Sequence, residues 1–167
     1  MLDKIRAELA PTGILRAGIN LSNFLLVTDK TPEGDPIGVS PDMARAVADR
    51  LDVRVKYITF ASPGELADAA VEDVWDIGNI GAEPERAKTI AFSAAYAEIE
   101  ATYLLPAGSL MQSVDEVDRE GVRIGVYGRS AYGLWLADNI KNAELVKTDG
   151  VDASFDIFVE QGLEVMA

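Results

Sequence analysis

Two residue types are missing from this 167-residue chain: it contains neither cysteine nor histidine. Without cysteine there can be no disulfide framework, zinc ribbon or thiol nucleophile. Without histidine there is no Ser-His-Asp triad, no imidazole metal site and no imidazole general base. Positive charge is also scarce, with 15 Lys and Arg against 28 Asp and Glu, for a net charge of -13. Nucleic acid and anionic membrane both demand clustered Lys and Arg, so neither suits this chain. A free small anion is repelled until salt screens the field, beyond roughly 8 Å. A zwitterion or a cation escapes that penalty. No stretch of about 18 apolar residues occurs, so no membrane insertion is expected. The charged start Met1-Leu2-Asp3-Lys4-Ile5-Arg6 does not read as a signal peptide, which leaves cytoplasmic placement open. P-loop, EF-hand and G-x-S-x-G patterns are absent, and no cofactor is expected.

What is present is an ordinary globular balance, 49% hydrophobic and 26% charged. Such a length suits one domain or two small lobes and needs no covalent staple. Strand and helix patterns alternate, which predicts parallel α/β packing. A short helix is expected over residues 3–9, then strands over 14–20 and 53–60. Between them, Ser40-Pro41-Asp42 reads as a helix start with Ser40 as N-cap and Pro41 at the first helical position. Met43, Val47 and Leu51 recur at helical spacing and predict its buried face. Ser62-Pro63-Gly64-Glu65 and Ser113-Val114-Asp115-Glu116 have capping-box spacing. Further strands are expected over 75–80, 98–105, 122–127, 144–147 and 163–166, with Trp75 and Trp135 as packing residues. A helix after Gly128-Arg129-Ser130 should bury Leu134, Ala137 and Ile140. Another, over 152–161, should bury Phe155, Phe158 and Val159 and end at Gly162.

Open parallel sheets take ligands at the carboxyl ends of their strands. Three segments fall there: Asn20 to Phe24, Gly78 to Arg86, and Gly128-Arg129-Ser130. In the second, Gly78 and Gly81 permit close backbone approach, and Arg86 could grip a carboxylate with a forked pair of hydrogen bonds. Arg86 could equally pair with Glu83 or Glu85 on the surface. In the third, a helix N-terminus offers amide hydrogens to an anion, with Ser130 and Arg129 beside it, although Ser130 could be a helix cap alone. Phe24, Phe60, Tyr96 and Tyr132 are candidate wall residues, and aromatics of this kind also serve as core. The acid pairs Asp73/Asp76 and Glu98/Glu100 could do acid–base work or simply be solvated.

Taken in order, five segments resemble a known family. They are Gly13-Ile14-Leu15-Arg16-Ala17-Gly18-Ile19-Asn20, Ile37-Gly38-Val39-Ser40-Pro41-Asp42-Met43-Ala44, Trp75-Asp76-Ile77, residues 82–96, and residues 122–130. Their order and spacing resemble the type II periplasmic solute-binding proteins, in particular bacterial extracellular solute-binding proteins of family 3, which serve ABC importers of polar amino acids. The resemblance implies an α/β fold of two lobes with mixed, mostly parallel sheets, residues 1–104 and 105–167, closing on a small carboxylate ligand such as an amino acid. It implies that Arg86 grips the carboxylate, that Asn79 and Gly81 give polar contacts, and that Ser130 completes the anion site. Phe24 and Phe60 fall near its aromatic wall positions. A periplasmic location and an ABC permease as partner are implied in the same way.

Arg129 and Ala131 depart from the family pattern, which usually has a small residue and then Ser or Thr. The family also continues beyond the position of Ala167, so the chain is expected to be C-terminally truncated, with an incomplete first lobe, exposed apolar surface and self-association into a homo-oligomer. A non-catalytic binding protein is the leading expectation. The alternatives are a dehydratase-like enzyme similar to the cyclohexadienyl dehydratases, or a relic that folds and oligomerises without binding.

Overall fold

The computed structural model describes residues 2–167. Its internal contacts divide the chain into two compact units. The first runs up to Ala82 and includes Arg86–Ala91; the second comprises Glu83–Glu85 and Phe92–Ala167.

The first unit opens with α1 (Leu2–Leu9) and β1 (Ile14–Asn20), followed by a small antiparallel pair, β2 (Asp29–Lys30) and β3 (Pro36–Ile37). Then come α2 (Val39–Leu51), β4 (Arg54–Phe60), α3 (Pro63–Asp68) and β5 (Ile77–Asn79). Three strands form a parallel sheet in the order β4-β1-β5. The central strand is the most buried, with Leu15, Ala17 and Ile19 fully enclosed. Parallel strands covered on both faces need such continuous apolar sequence. Gly18 and Gly78 sit under the Trp75 ring, where a Cβ on either would come within 3.2 Å of the indole. That ring also donates its N–H to the Leu66 carbonyl at 3.2 Å.

An ion pair fixes the β1–β5 register. The Arg16 backbone N–H donates to Asp76 Oδ2 at 2.7 Å, its guanidinium reaches Asp76 Oδ1 at 2.6 Å, and the Asp76 N–H donates to the Arg16 carbonyl at 2.8 Å. Asp73 adds a contact to the same guanidinium at 2.9 Å.

The second unit repeats the plan with β6 (Arg123–Tyr127), α4 (Ala131–Asn139), β7 (Glu144–Thr148), α5 (Val151–Glu160) and β8 (Val165–Met166). Its parallel order is β7-β6-β8, again second strand, first strand, third strand. The register device recurs as well. Arg123 donates its backbone N–H to Glu164 Oε2 at 2.8 Å and its guanidinium to Oε1 at 2.8 Å, just before the third strand. The α/β class with parallel sheets is therefore the architecture of both units. Among the described residues no helix is long and apolar enough to cross a membrane.

Several sequence expectations need correction. Helix α2 is capped at Gly38, whose φ is 139°, so Ser40 lies inside the first turn. A Cβ at Gly38 would run into the Leu26 carbonyl oxygen, which is why the chain turns there on glycine. The buried face of α2 is Pro41, Ala44, Ala48 and Leu51, while Met43 is exposed and Val47 only half-buried. Alanines let the helix lie close on β1, and bulkier side chains are turned to the flanks. Residues 98–103 are not a strand; Leu104 alone bridges Met166, antiparallel, because β8 offers only a two-residue edge. In α4 Gly133 and Leu136 are buried and Leu134 is half-buried, Ile140 just past its end packs on the core, and Ala137 is exposed. In α5 Ser154 and Phe158 point in, whereas Phe155 and Val159 are 49% and 60% exposed. Both helices are short and lie on one three-stranded sheet, too narrow to cover a wider stripe. Gly162, with φ 56°, terminates α5 as expected.

Candidate ligand site

In the first unit the strands end together. Parallel pairing sets Asn20 opposite Phe60 and Ile19 opposite Asn79, so one rim of the sheet carries Asn20, Phe60 and Asn79. Asn20 is buried, and its Oδ1 accepts from the Ser22 N–H at 3.0 Å and the Ser22 hydroxyl at 2.8 Å. That Asx turn diverts the chain away from the strand line. Phe60 and Asn79 are half-buried, and the Phe60 carbonyl accepts from the Leu21 N–H at 2.9 Å.

Beyond β5 the chain passes exposed Gly81 and enters a short 3₁₀ turn, Arg86–Lys88. Arg86 is only 5% exposed, and its Nη1 donates to the Gly81 carbonyl at 2.8 Å. The Arg86 carbonyl in turn accepts from the Ile90 N–H at 2.9 Å. A solvated surface arginine is therefore excluded. A guanidinium withdrawn from water is costly unless hydrogen-bonded acceptors surround it, and its fork matches a carboxylate better than any other side chain does. Phe24, by contrast, is 68% exposed in the loop after β1.

In the second unit β6 ends at Tyr127 and turns through Gly128 and exposed Arg129 to Ser130, the N-cap of α4. Ser130 is buried, donates its hydroxyl to the Tyr127 carbonyl at 2.7 Å and accepts from the Gly133 N–H at 2.9 Å. The helix-cap role considered from sequence is thus what the hydroxyl does, and its proton is engaged. The first intrahelical bond runs from the Leu134 N–H to the Ser130 carbonyl at 3.0 Å. The amides of Ala131 and Tyr132 precede that bond, and an anion at this end would meet them along with the positive end of the helix dipole. Tyr132 is half-buried, and burial pushes its phenol pKa up.

The acid pairs resolve simply. Asp73 and Asp76 are both taken by Arg16, and Glu98 and Glu100 stand in solvent on irregular chain. Trp75 packs as expected, while Trp135 is 54% exposed. Sequence reading passed over Tyr103 and Asp118, which line a cavity of about 630 Å³ in the second unit. Neither lies in a motif, and only the fold brings them to α4. Among the described residues no cluster of three acidic side chains could hold a metal ion.

A family model described as bacterial extracellular solute-binding proteins, family 3, matches residues 16–159. Comparison with curated proteins gives no match. Among solved structures, the chain is similar to an ancestral amino acid-binding protein, a precursor of cyclohexadienyl dehydratase, at 21% identity and a TM-score of 0.73, over 99% of this chain and 72% of that one. It is similar to the cysteine-binding protein of Campylobacter jejuni at 18% identity and a TM-score of 0.72, over 99% of this chain and 65% of the other. A variant of arginine-bound ArgBP from T. maritima gives 18% identity and a TM-score of 0.71, over 99% and 76%. Likeness at such identities shows the fold.

Proposed function

The chain belongs to the bacterial extracellular solute-binding proteins, family 3, and on that premise we propose that it captures a small carboxylate ligand, an amino acid, without catalysis. The observation that carries the proposal is Arg86, a buried guanidinium beside the carboxyl ends of a parallel sheet. The guanidinium fork matches a carboxylate, and the strand ends are where open α/β sheets bind.

Arg86 grips the carboxylate in this reading, with Asn79 and Gly81 supplying further polar contacts. Phe60, and Phe24 from its exposed loop, wall the apolar part of the ligand. Within the second unit, the α4 start offers the Ala131 and Tyr132 amides to an anion, with Ser130 as its cap and Arg129 and the Tyr132 ring beside it. The structures of similar fold bind cysteine or arginine, which supports an amino acid as the ligand class. An ABC permease as partner and a periplasmic location rest on family membership, as does the division into lobes at residues 1–104 and 105–167.

The test is a thermal-shift panel of amino acids and small carboxylates. A ligand at 100 times its Kd should raise stability by about 2.7 kcal/mol. Arg86→Ala should abolish the rise, and Arg86→Lys should restore little of it, because an ammonium cannot reproduce the bidentate fork. A rise that survives Arg86→Ala would remove Arg86 from the site. Turnover of prephenate or arogenate by the purified chain would instead favour the dehydratase reading. Self-association is a separate proposal, and a single monomer peak on a sizing column rejects it.

A further inference from the structure

The second unit contains a cavity of about 630 Å³ between α4 and the segments around Tyr103 and Asp118. Its size is that of a small-molecule site. Three aromatic side chains, Tyr103, Tyr132 and Trp135, line it, and two carboxylates, Asp115 and Asp118, stand at its wall. Neither lysine nor arginine is among the lining residues. Tyr132 is the one residue shared with the candidate site described above.

Asp118 is a fixed charge. Its Oδ1 accepts the N–H groups of Lys141, Asn142 and Ala143 at 3.1, 2.7 and 2.9 Å, and Oδ2 accepts only that of Lys141, at 3.0 Å. Those amide bonds, and to a smaller extent the charge of Lys141, hold its pKa down, and lone pairs remain on Oδ2 for another donor. Tyr103 stands close enough to Asp118 for the carboxylate to add to the upward shift that burial imposes on the phenol. Trp135 is 54% exposed although it borders the cavity, so an indole face is available without any rearrangement of the core.

Aromatic faces attract cations through their quadrupoles, and a carboxylate held beside them adds direct charge. An anion or a neutral acid gains nothing from this lining. We propose that this cavity is a second ligand site, for an organic ammonium carried on an apolar body, with the ammonium at Asp118 and the body against Trp135 and Tyr132. The site makes no use of Arg86 and shares only Tyr132 with the function proposed above.

Phenethylammonium and benzyltrimethylammonium are suitable probes, with 3-phenylpropanol as the uncharged control. They are titrated into the full chain while amide and indole signals are followed by NMR. Saturable shifts are expected at the Trp135 indole and at the amides of Tyr103 and Asp118. The alcohol should bind about ten-fold more weakly, and so should either cation in Asp118→Asn or Trp135→Leu. Asparagine keeps an oxygen to accept from residues 141–143, so the fold of that loop is retained; Asp115→Asn gives a second charge variant that leaves it untouched. Arg86→Ala should bind the cations as the unaltered chain does. Equal affinity for the alcohol, no saturable shift at Trp135, or binding lost with Arg86→Ala would each overturn the proposal.

Discussion

At the scale of single residues, two arginine–carboxylate pairs do the same work in the two units. Arg16 with Asp76 and Arg123 with Glu164 each tie a central strand to the start of the third strand. The Arg123 side chain holds the Glu164 carboxyl well below its ordinary range, to about 2. A depressed folded-state value means stability that is present above the unfolded pKa, near 4.3, and lost as pH falls through about 2. Glu164→Gln should therefore lower the melting temperature at neutral pH. The gap to the unaltered protein should close between about pH 4.5 and 2, as both are followed by circular dichroism. A gap that stays constant over that window would show that the pair does not hold its charge. Ser130 makes a second residue-scale case. Removing its hydroxyl in Ser130→Ala leaves the Gly133 N–H without its acceptor and should cost about 1 kcal/mol in urea unfolding. A negligible change would mean that the cap is dispensable.

At the scale of elements, the prominent control is steric. Gly38 turns the chain into α2 at a φ of 139° while its Cα hydrogen lies against the Leu26 carbonyl. Gly38→Ala adds both strain and a collision, and a loss of at least about 2 kcal/mol is expected by denaturant titration. Gly13, with φ 75° but open space around the added carbon, should suffer from backbone strain alone and lose less. Equal losses at the two positions would reject the close approach to Leu26. Helix and strand identity was legible wherever a capping signal or a β-branched run was present. Ser62 and Glu65 cap α3 as their spacing implied, with Ser62 Oγ accepting from the Glu65 N–H at 3.1 Å. Ser113 and Glu116 form a reciprocal capping box on a 3₁₀ turn. Which face of a helix goes inward was less legible. Phe155 and Val159 have the hydrophobicity and nearly the spacing of core residues, yet both face out of α5. Periodicity gives the stripe's width, and the size of the sheet beneath decides how much of it is covered.

For the whole molecule, charge sets an expectation about ligands. A net charge of -13 spread over 167 residues repels free anions and tolerates zwitterions. Monocarboxylate amino acids with neutral or basic side chains should give larger thermal shifts than dicarboxylates of equal size, and the difference should shrink as salt is added. A preference for dicarboxylates at low salt would contradict this. The chain spans 72%, 65% and 76% of the three similar structures, so the activity of any longer protein is a matter for those experiments.

Sequence by itself determined the chemistry available and the class of fold. The lack of Cys and His removed whole mechanisms, and the alternation of strand and helix signals fixed parallel α/β units, because those signals depend on neighbours within a few residues. It also brought Arg86 forward, through a Gly-rich strand end followed by Pro and Arg. Only the tertiary structure decided that Arg86 is buried, that Ser130 is a cap with its proton engaged, and that Tyr103 and Asp118 line one cavity with Trp135. Burial and hydrogen-bond partnership depend on residues tens of positions apart, and no local pattern records which of them will share a wall.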